Sequence, residues 1–91
     1  MTLLETTRDL MSFDQEYVIC AVAPFAENSQ AIVVPAPESG LVSEIESPGF
    51  KYFLEVSIAR EVLDGWRSNL SIEPTLEEKC ARLIKYANTD A

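Results

Sequence analysis

The chain has 91 residues, 47% of them hydrophobic and 24% charged, with three glycines and five prolines. This composition excludes disordered, collagen-like and low-complexity classes and limits the chain to one small domain, 1–91. Fifteen carboxylates against seven bases give a formal net charge of −8, which argues against direct nucleic-acid binding and against an anionic membrane surface.

Thr2-Leu3-Leu4-Glu5 has capping-box spacing, and Leu3, Leu4, Leu10 and Met11 recur seven residues apart. The spacing predicts a short amphipathic helix over residues 3–11, within an N-terminal helix or arm spanning 1–14. Ser12-Phe13-Asp14 interrupts it. Tyr17 to Ala26 then carries no charge and is rich in strand-favouring residues, Glu27 to Gln30 is a polar connection, and Ala31 to Pro35 resumes as a second strand. Together they read as a hairpin, with Pro24 and Pro35 at strand ends, bulges or edges because neither can donate to a ladder. Leu41 to Ser47 is a weaker third strand, and Ser47-Pro48-Gly49-Phe50 has the Pro-Gly centre of a type II turn.

After that turn Phe50, Tyr52, Leu54 and Val56 alternate with Lys51, Glu55 and Ser57, a half-buried strand with Phe53 as the exception; the same residues could open a helix. From Ile58 the period is helical, with Ala59, Val62, Leu63 and Trp66 on one face as far as Ser68 or Asn69. Thr75-Leu76-Glu77-Glu78, directly after Pro74, opens a final helix whose apolar stripe is Leu76, Cys80, Leu83, Ile84 and Ala87. Glu77 and Glu78 at its start and Lys85 near its end suit the helix dipole. The expected fold is α+β: an antiparallel sheet of three or four strands in a β-rich half (15–57), packed against two C-terminal helices (58–88), with a short N-terminal helix.

Histidine is absent, which removes the commonest general base, nucleophile-activating partner and metal ligand together. Cys20 and Cys80 lie far apart in apolar segments, and Met1 to Leu10 carries Glu5, Arg8 and Asp9 where a secretory leader would be apolar. The expectation is a cytoplasmic protein with two reduced core thiols and no four-ligand zinc site. Gly40, Gly49 and Gly65 are too scattered for a phosphate loop. No run approaches the ~18 apolar residues of a membrane span. Glu44 and Glu46 read as a charged strand edge. No catalytic residue, cofactor or metal ligand is assigned, and an enzyme is not expected.

The stretch Val33-Val34-Pro35-Ala36-Pro37-Glu38-Ser39-Gly40-Leu41-Val42-Ser43-Glu44-Ile45 resembles the opening strands of biotinyl and lipoyl carrier domains. The resemblance implies a cofactor-bearing lysine at a hairpin tip. No Asp-Lys-Ala or Met-Lys-Met tip follows here, and the chain turns helical where a carrier stays β.

From Tyr17 to Pro37 Glu27 is the one charge, and both alternating sets are apolar: Tyr17, Ile19, Ala21 and Phe25 against Val18, Cys20 and Val22. Both sheet faces therefore require burial, while two helices cover one. The second would be closed by the N-terminal segment or by another chain, most simply a second copy in a homodimer, otherwise an unidentified protein. Val18, Val22, Phe25, Ile32 and Val34 are the expected interface residues. Lys79, Arg82 and Lys85, at three-residue steps, form either a solvated face paired through Glu78 or a docking stripe for an acidic partner. The functional expectation is a non-enzymatic protein-interaction or regulatory module. One alternative is an acidic inhibitor imitating nucleic-acid phosphates, since seven carboxylates and no base lie between Asp9 and Phe50. Another is a small ligand-binding domain or enzyme using Tyr52 and Glu55.

Overall fold

The computed structural model describes residues 1–40 and 49–89. Its sheet is built around the charge-free run: β1 (Tyr17–Val22) lies between β2 (Ala31–Pro35) and β3 (Phe50–Glu55), both antiparallel to it. A central strand flanked on both sides is where a sequence without charge belongs. The described residues form three helices in chain order, α1 (Leu3–Arg8), α2 (Val56–Arg67) and α3 (Leu76–Thr89), with a 3-10 turn at Leu10–Ser12. The fold is α+β, with three strands and two helices after the sheet among the described residues, as the sequence predicts. The third strand expected at Leu41 to Ser47, with Glu44 and Glu46, lies outside the described residues.

Register assigns the two sheet faces. Val18 pairs with Val34, Ile19 with Val33, Cys20 with Ile32 and Ala21 with Ala31. Side chains directly opposite one another share a face, so Ile19, Ala21, Ala31 and Val33 form one side, and Val18, Cys20, Val22, Ile32 and Val34 the other. The first side packs with Leu3, Leu10, Phe53, Leu54, Leu63 and Leu83 into one core, so all three helices lie on it. The N-terminal helix thus joins the α2 and α3 layer and does not cover the second face.

Several boundaries differ from those expected. β1 stops at Val22, short of Ala26, and the connection to β2 occupies residues 23–30. The strand ends two residues before Pro24, which has no N–H for a ladder and follows a cis peptide bond. α1 ends at Arg8 and not at residue 11, because Asp9 leaves the helical region (φ −98°, ψ 14°) and its carbonyl receives both the amide and the hydroxyl of Ser12. Leu10 is still buried, but Met11 is 76% exposed. Arg60 of α2 holds this turn, its Nη2 donating to the carbonyls of Leu10, Met11 and Phe13.

The six-residue α1 has its first four amides satisfied from two places. Leu3 N–H donates to Ser29 O (2.9 Å) and Leu4 N–H to Glu27 O (3.0 Å), both in the hairpin connection. Glu5 N–H donates to Thr2 Oγ1 (3.1 Å) and Thr6 N–H to Thr2 O (2.9 Å), while Thr2 N–H donates back to Glu5 Oε1 (2.8 Å). The capping box read from the sequence is formed, and tertiary contacts complete it.

β3 departs from simple alternation. Leu54 pairs with Ile19 but Tyr52 pairs with Cys20, so Phe53 is an extra residue, a β-bulge that reverses parity between them. Tyr52 and Leu54 therefore lie on opposite faces, where alternation would put them together, and Phe53 and Leu54 are both buried (2% and 0% exposed). The strand enters from Gly49, whose φ of +87° suits glycine, and ends at Glu55, while Ser47 and Pro48 of the expected turn lie outside the described residues. Val56 already begins α2, two residues before Ile58, with Glu55 in extended geometry as its N-cap. Thr75 and Glu78 form the second capping box, Thr75 N–H to Glu78 Oε1 at 2.8 Å and Glu78 N–H to Thr75 Oγ1 at 3.1 Å. Cys80 and Leu83 are buried along the expected α3 stripe, and Leu76, Ile84 and Ala87 are half-buried.

Candidate functional site

The residues read from the sequence as an interface separate into two groups. Val18 and Cys20 are closed off, at 2% and 0% exposure, without belonging to the helix-side core. Beside them Val22, Ile32 and Val34 remain half-buried on the outer face, and the β3 side of that face adds half-buried Phe50, paired with Val22, and Tyr52, paired with Cys20. Phe25 sits elsewhere. It leaves the strand at the corner after β1 and packs against the helix-side core, its ring beside that of Phe53. The outer face near the hairpin's open corner is thus aliphatic, bordered by two aromatics, and uncharged on β1 and β2.

Lys79, Arg82 and Lys85 have different surroundings. Lys79 Nζ pairs with Glu73 Oε2 at 2.8 Å. The Arg82 guanidinium lies 5.7 Å over the Trp66 ring, within cation–π range. Lys85 is exposed and has no ion pair among the described residues. Glu78, expected to pair with Arg82, bonds instead to the Thr75 amide. The helix-capping role takes the carboxylate because its charge-assisted hydrogen bond from the Thr75 amide outweighs an exposed i, i+4 ion pair.

A second feature was not singled out by sequence reasoning. Between α1, α2 and α3 is a cleft of about 120 Å³ with Leu10 and Leu63 on its floor and Arg8, Arg60, Arg67 and Lys79 around it. These are four of the chain's seven bases. Arg8 forks onto Asp9 through Nε and Nη2, both at 3.0 Å. Glu73 is shared, accepting Arg67 Nη2 at 2.7 Å and Lys79 Nζ at 2.8 Å, with Asp64 at 4.0 Å from Arg67 Nη1. Hydrogen bonds from Lys79 and then Arg67 hold the Glu73 carboxyl below its usual range, and the Arg8 fork does the same for Asp9. Among the described residues Arg60 has no carboxylate partner. Its Nη2 goes to backbone carbonyls, and its Nε is buried without a partner. The one legible sign was Arg60, Asp64 and Arg67 at i, i+4, i+7 on α2.

Tyr52 and Glu55, named together for the ligand-binding alternative, share electrostatics more than a pocket. Burial first, then the Glu55 carboxylate, pushes the Tyr52 hydroxyl up. A shallow depression of about 410 Å³ is lined, among the described residues, by Gln15, Glu16, Glu55 and Ser57. Both cysteines are buried thiols outside any disulfide, Cys80 in the helix-side core and Cys20 apart from it, and burial raises the Cys80 thiol. Among the described residues no group of three metal-binding side chains gathers, and no helix is long and apolar enough to cross a membrane. Compared with protein-family models, with curated proteins and with solved structures, the chain matches none.

Proposed function

We propose that this protein is a non-enzymatic, cytoplasmic protein-association module that pairs with a second copy of itself through the outer face of the sheet. The observation that supports this most is the placement of all three described helices on the Ile19 and Ala21 face, with Val22, Ile32 and Val34 half-open on the other. An aliphatic, uncharged patch that stays half-open at Val22, Ile32 and Val34, beside the closed-off Val18 and Cys20, is of the kind that contact surfaces use. A two-fold axis makes one patch serve both partners, which is why a second copy is the simplest occupant.

The test is native mass by light scattering across concentration and salt, for the native chain and for Val22→Asp and Val34→Asp. A dimer of the 10.1 kDa chain is expected, dissociated by either substitution while circular dichroism stays unchanged. Added salt should strengthen the dimer, because each copy carries a net charge of −8. A native chain that remains monomeric at high micromolar concentration overturns the proposal.

A further inference from the structure

We propose that Met1–Leu3 is a guard on the outer edge of β2, an autoinhibitory contact that keeps this strand from pairing with the β2 of a second copy. β2 reads Ala-Ile-Val-Val-Pro, uncharged and largely β-branched, and lies at one edge of the sheet. Such an edge is a template for strands of other molecules. β3, on the other side of β1, carries exposed Lys51 and the bulge at Phe53, both of which discourage pairing. β2 has no charge of its own, and the N-terminal segment supplies the cover.

The direction of the backbone groups follows from one bond. Val22 N–H donates to Gln30 O, so Gln30, Ile32 and Val34 turn their backbone groups to β1, while Ala31 and Val33 turn theirs outward. Ala31 N–H donates to Met1 O at 2.6 Å and Leu3 N–H to Ser29 O at 2.9 Å, with Thr2 paired antiparallel to Gln30 between them. This is the ladder that a strand from another molecule would form, made internally. Pro35 has no N–H, so Ala31 and Val33 are the outward amides of β2. Without the guard they suit a second copy: in an antiparallel pair centred on Ile32, Ala31 of each copy exchanges both backbone bonds with Val33 of the other, and the two-fold axis satisfies both strands at once. The guard is lightly held. Met1 is 47% exposed, the core anchor is Leu3, and the Thr2 and Glu5 capping bonds fix the chain between Met1 and α1. Opening it exposes far less apolar surface than opening the sheet. This contact is separate from the outer sheet face.

The test uses the full chain carrying Val22→Asp, which removes association through the outer face, so failure of the guard and failure of the proposed dimer are read apart. Thr2→Ala with Glu5→Ala is added to break the capping bonds. At low concentration the Ala31 amide should exchange about tenfold faster than in Val22→Asp alone, with the Cys20 amide, inside the ladder to β2, unchanged. At high micromolar concentration light scattering should show added self-association, in which the Ala31 and Val33 amides become protected. Unchanged Ala31 exchange, no added association, or association that leaves Val33 unprotected would each overturn the proposal. Glu5→Gln on the same background removes less of the cap and should shift Ala31 exchange by a smaller factor in the same direction. If the double change prevents folding, equal Ala31 exchange in Glu5→Gln and its background overturns the proposal instead.

Discussion

Phe25 and Phe53 meet at right angles, their ring centroids 4.9 Å apart and their planes at 85°. One ring comes from the hairpin corner and the other from the bulge in β3, so this pair ties the two irregular points of the sheet together. Phe53 is 2% exposed, and Phe53→Ala is expected to cost about 3–5 kcal/mol, while half-buried Phe25→Ala costs about 1–2 kcal/mol. Because the residues touch, the double variant should lose less than the sum of the two. Urea denaturation of the three variants measures this, and strict additivity would mean the rings do not interact.

Arg60 joins α2 to the turn after α1 through three carbonyls. Arg60→Met keeps much of the apolar stem but removes these donors, at an expected cost of about 1–3 kcal/mol. Amide exchange at Ser12 and Phe13 should quicken more than exchange in α3. A uniform change across the protein would show that Arg60 acts only by packing.

The pH dependence has a defined sign. Glu5, Asp9 and Glu73 all have pKa values lowered in the folded state, by the Thr2 backbone and side-chain bonds, by Arg8, and by Lys79 with Arg67. A lowered folded pKa stabilises above the unfolded value, here near 4.5 for the glutamates, and that stabilisation is lost as pH falls through the folded one. Protonation also relieves the repulsion of a net −8 chain, an opposite effect. The diagnostic quantity is therefore a difference: Glu73→Gln should be less stable than the native chain at pH 7 and converge with it in acid, as followed by urea midpoints. All three groups are at the surface, so 1 M salt should shrink the difference.

Both thiols are enclosed, and burial raises that of Cys80. A thiol-specific disulfide reagent should label neither in the native protein within minutes and both after unfolding, since the thiolate is the reactive form. Rapid labelling of Cys80 in the native state would show that the α1 to α3 contact opens readily.

What could be read beforehand was what is local. Both capping boxes and the α3 stripe depend on residues within a few positions of each other and stand where the sequence placed them, and so does the hairpin apart from a first strand that stops at Val22. The bulge was visible only as Phe53 breaking an alternation, because an inserted residue changes pairing on a different strand and leaves no pattern of its own. α1 was overextended because Leu3 and Leu10 do share the core, through a helix and a turn that keep the same spacing. The basic cleft was hidden because Arg8, Arg60 and Lys79 are brought together by tertiary packing, whereas Lys79, Arg82 and Lys85, adjacent on one helix, are parted by Glu73 and Trp66.

The hydrogen bonds from Leu3 and Leu4 to Ser29 and Glu27 make α1 a dependent element. Six residues are too few to nucleate a helix in water, so this one exists only while the connection between β1 and β2 offers its carbonyls. Cutting or lengthening that connection would unwind a helix some twenty residues away in sequence, and with it one wall of the cleft formed by Arg8. The hairpin's loop thus works as the template on which the beginning of the chain is folded.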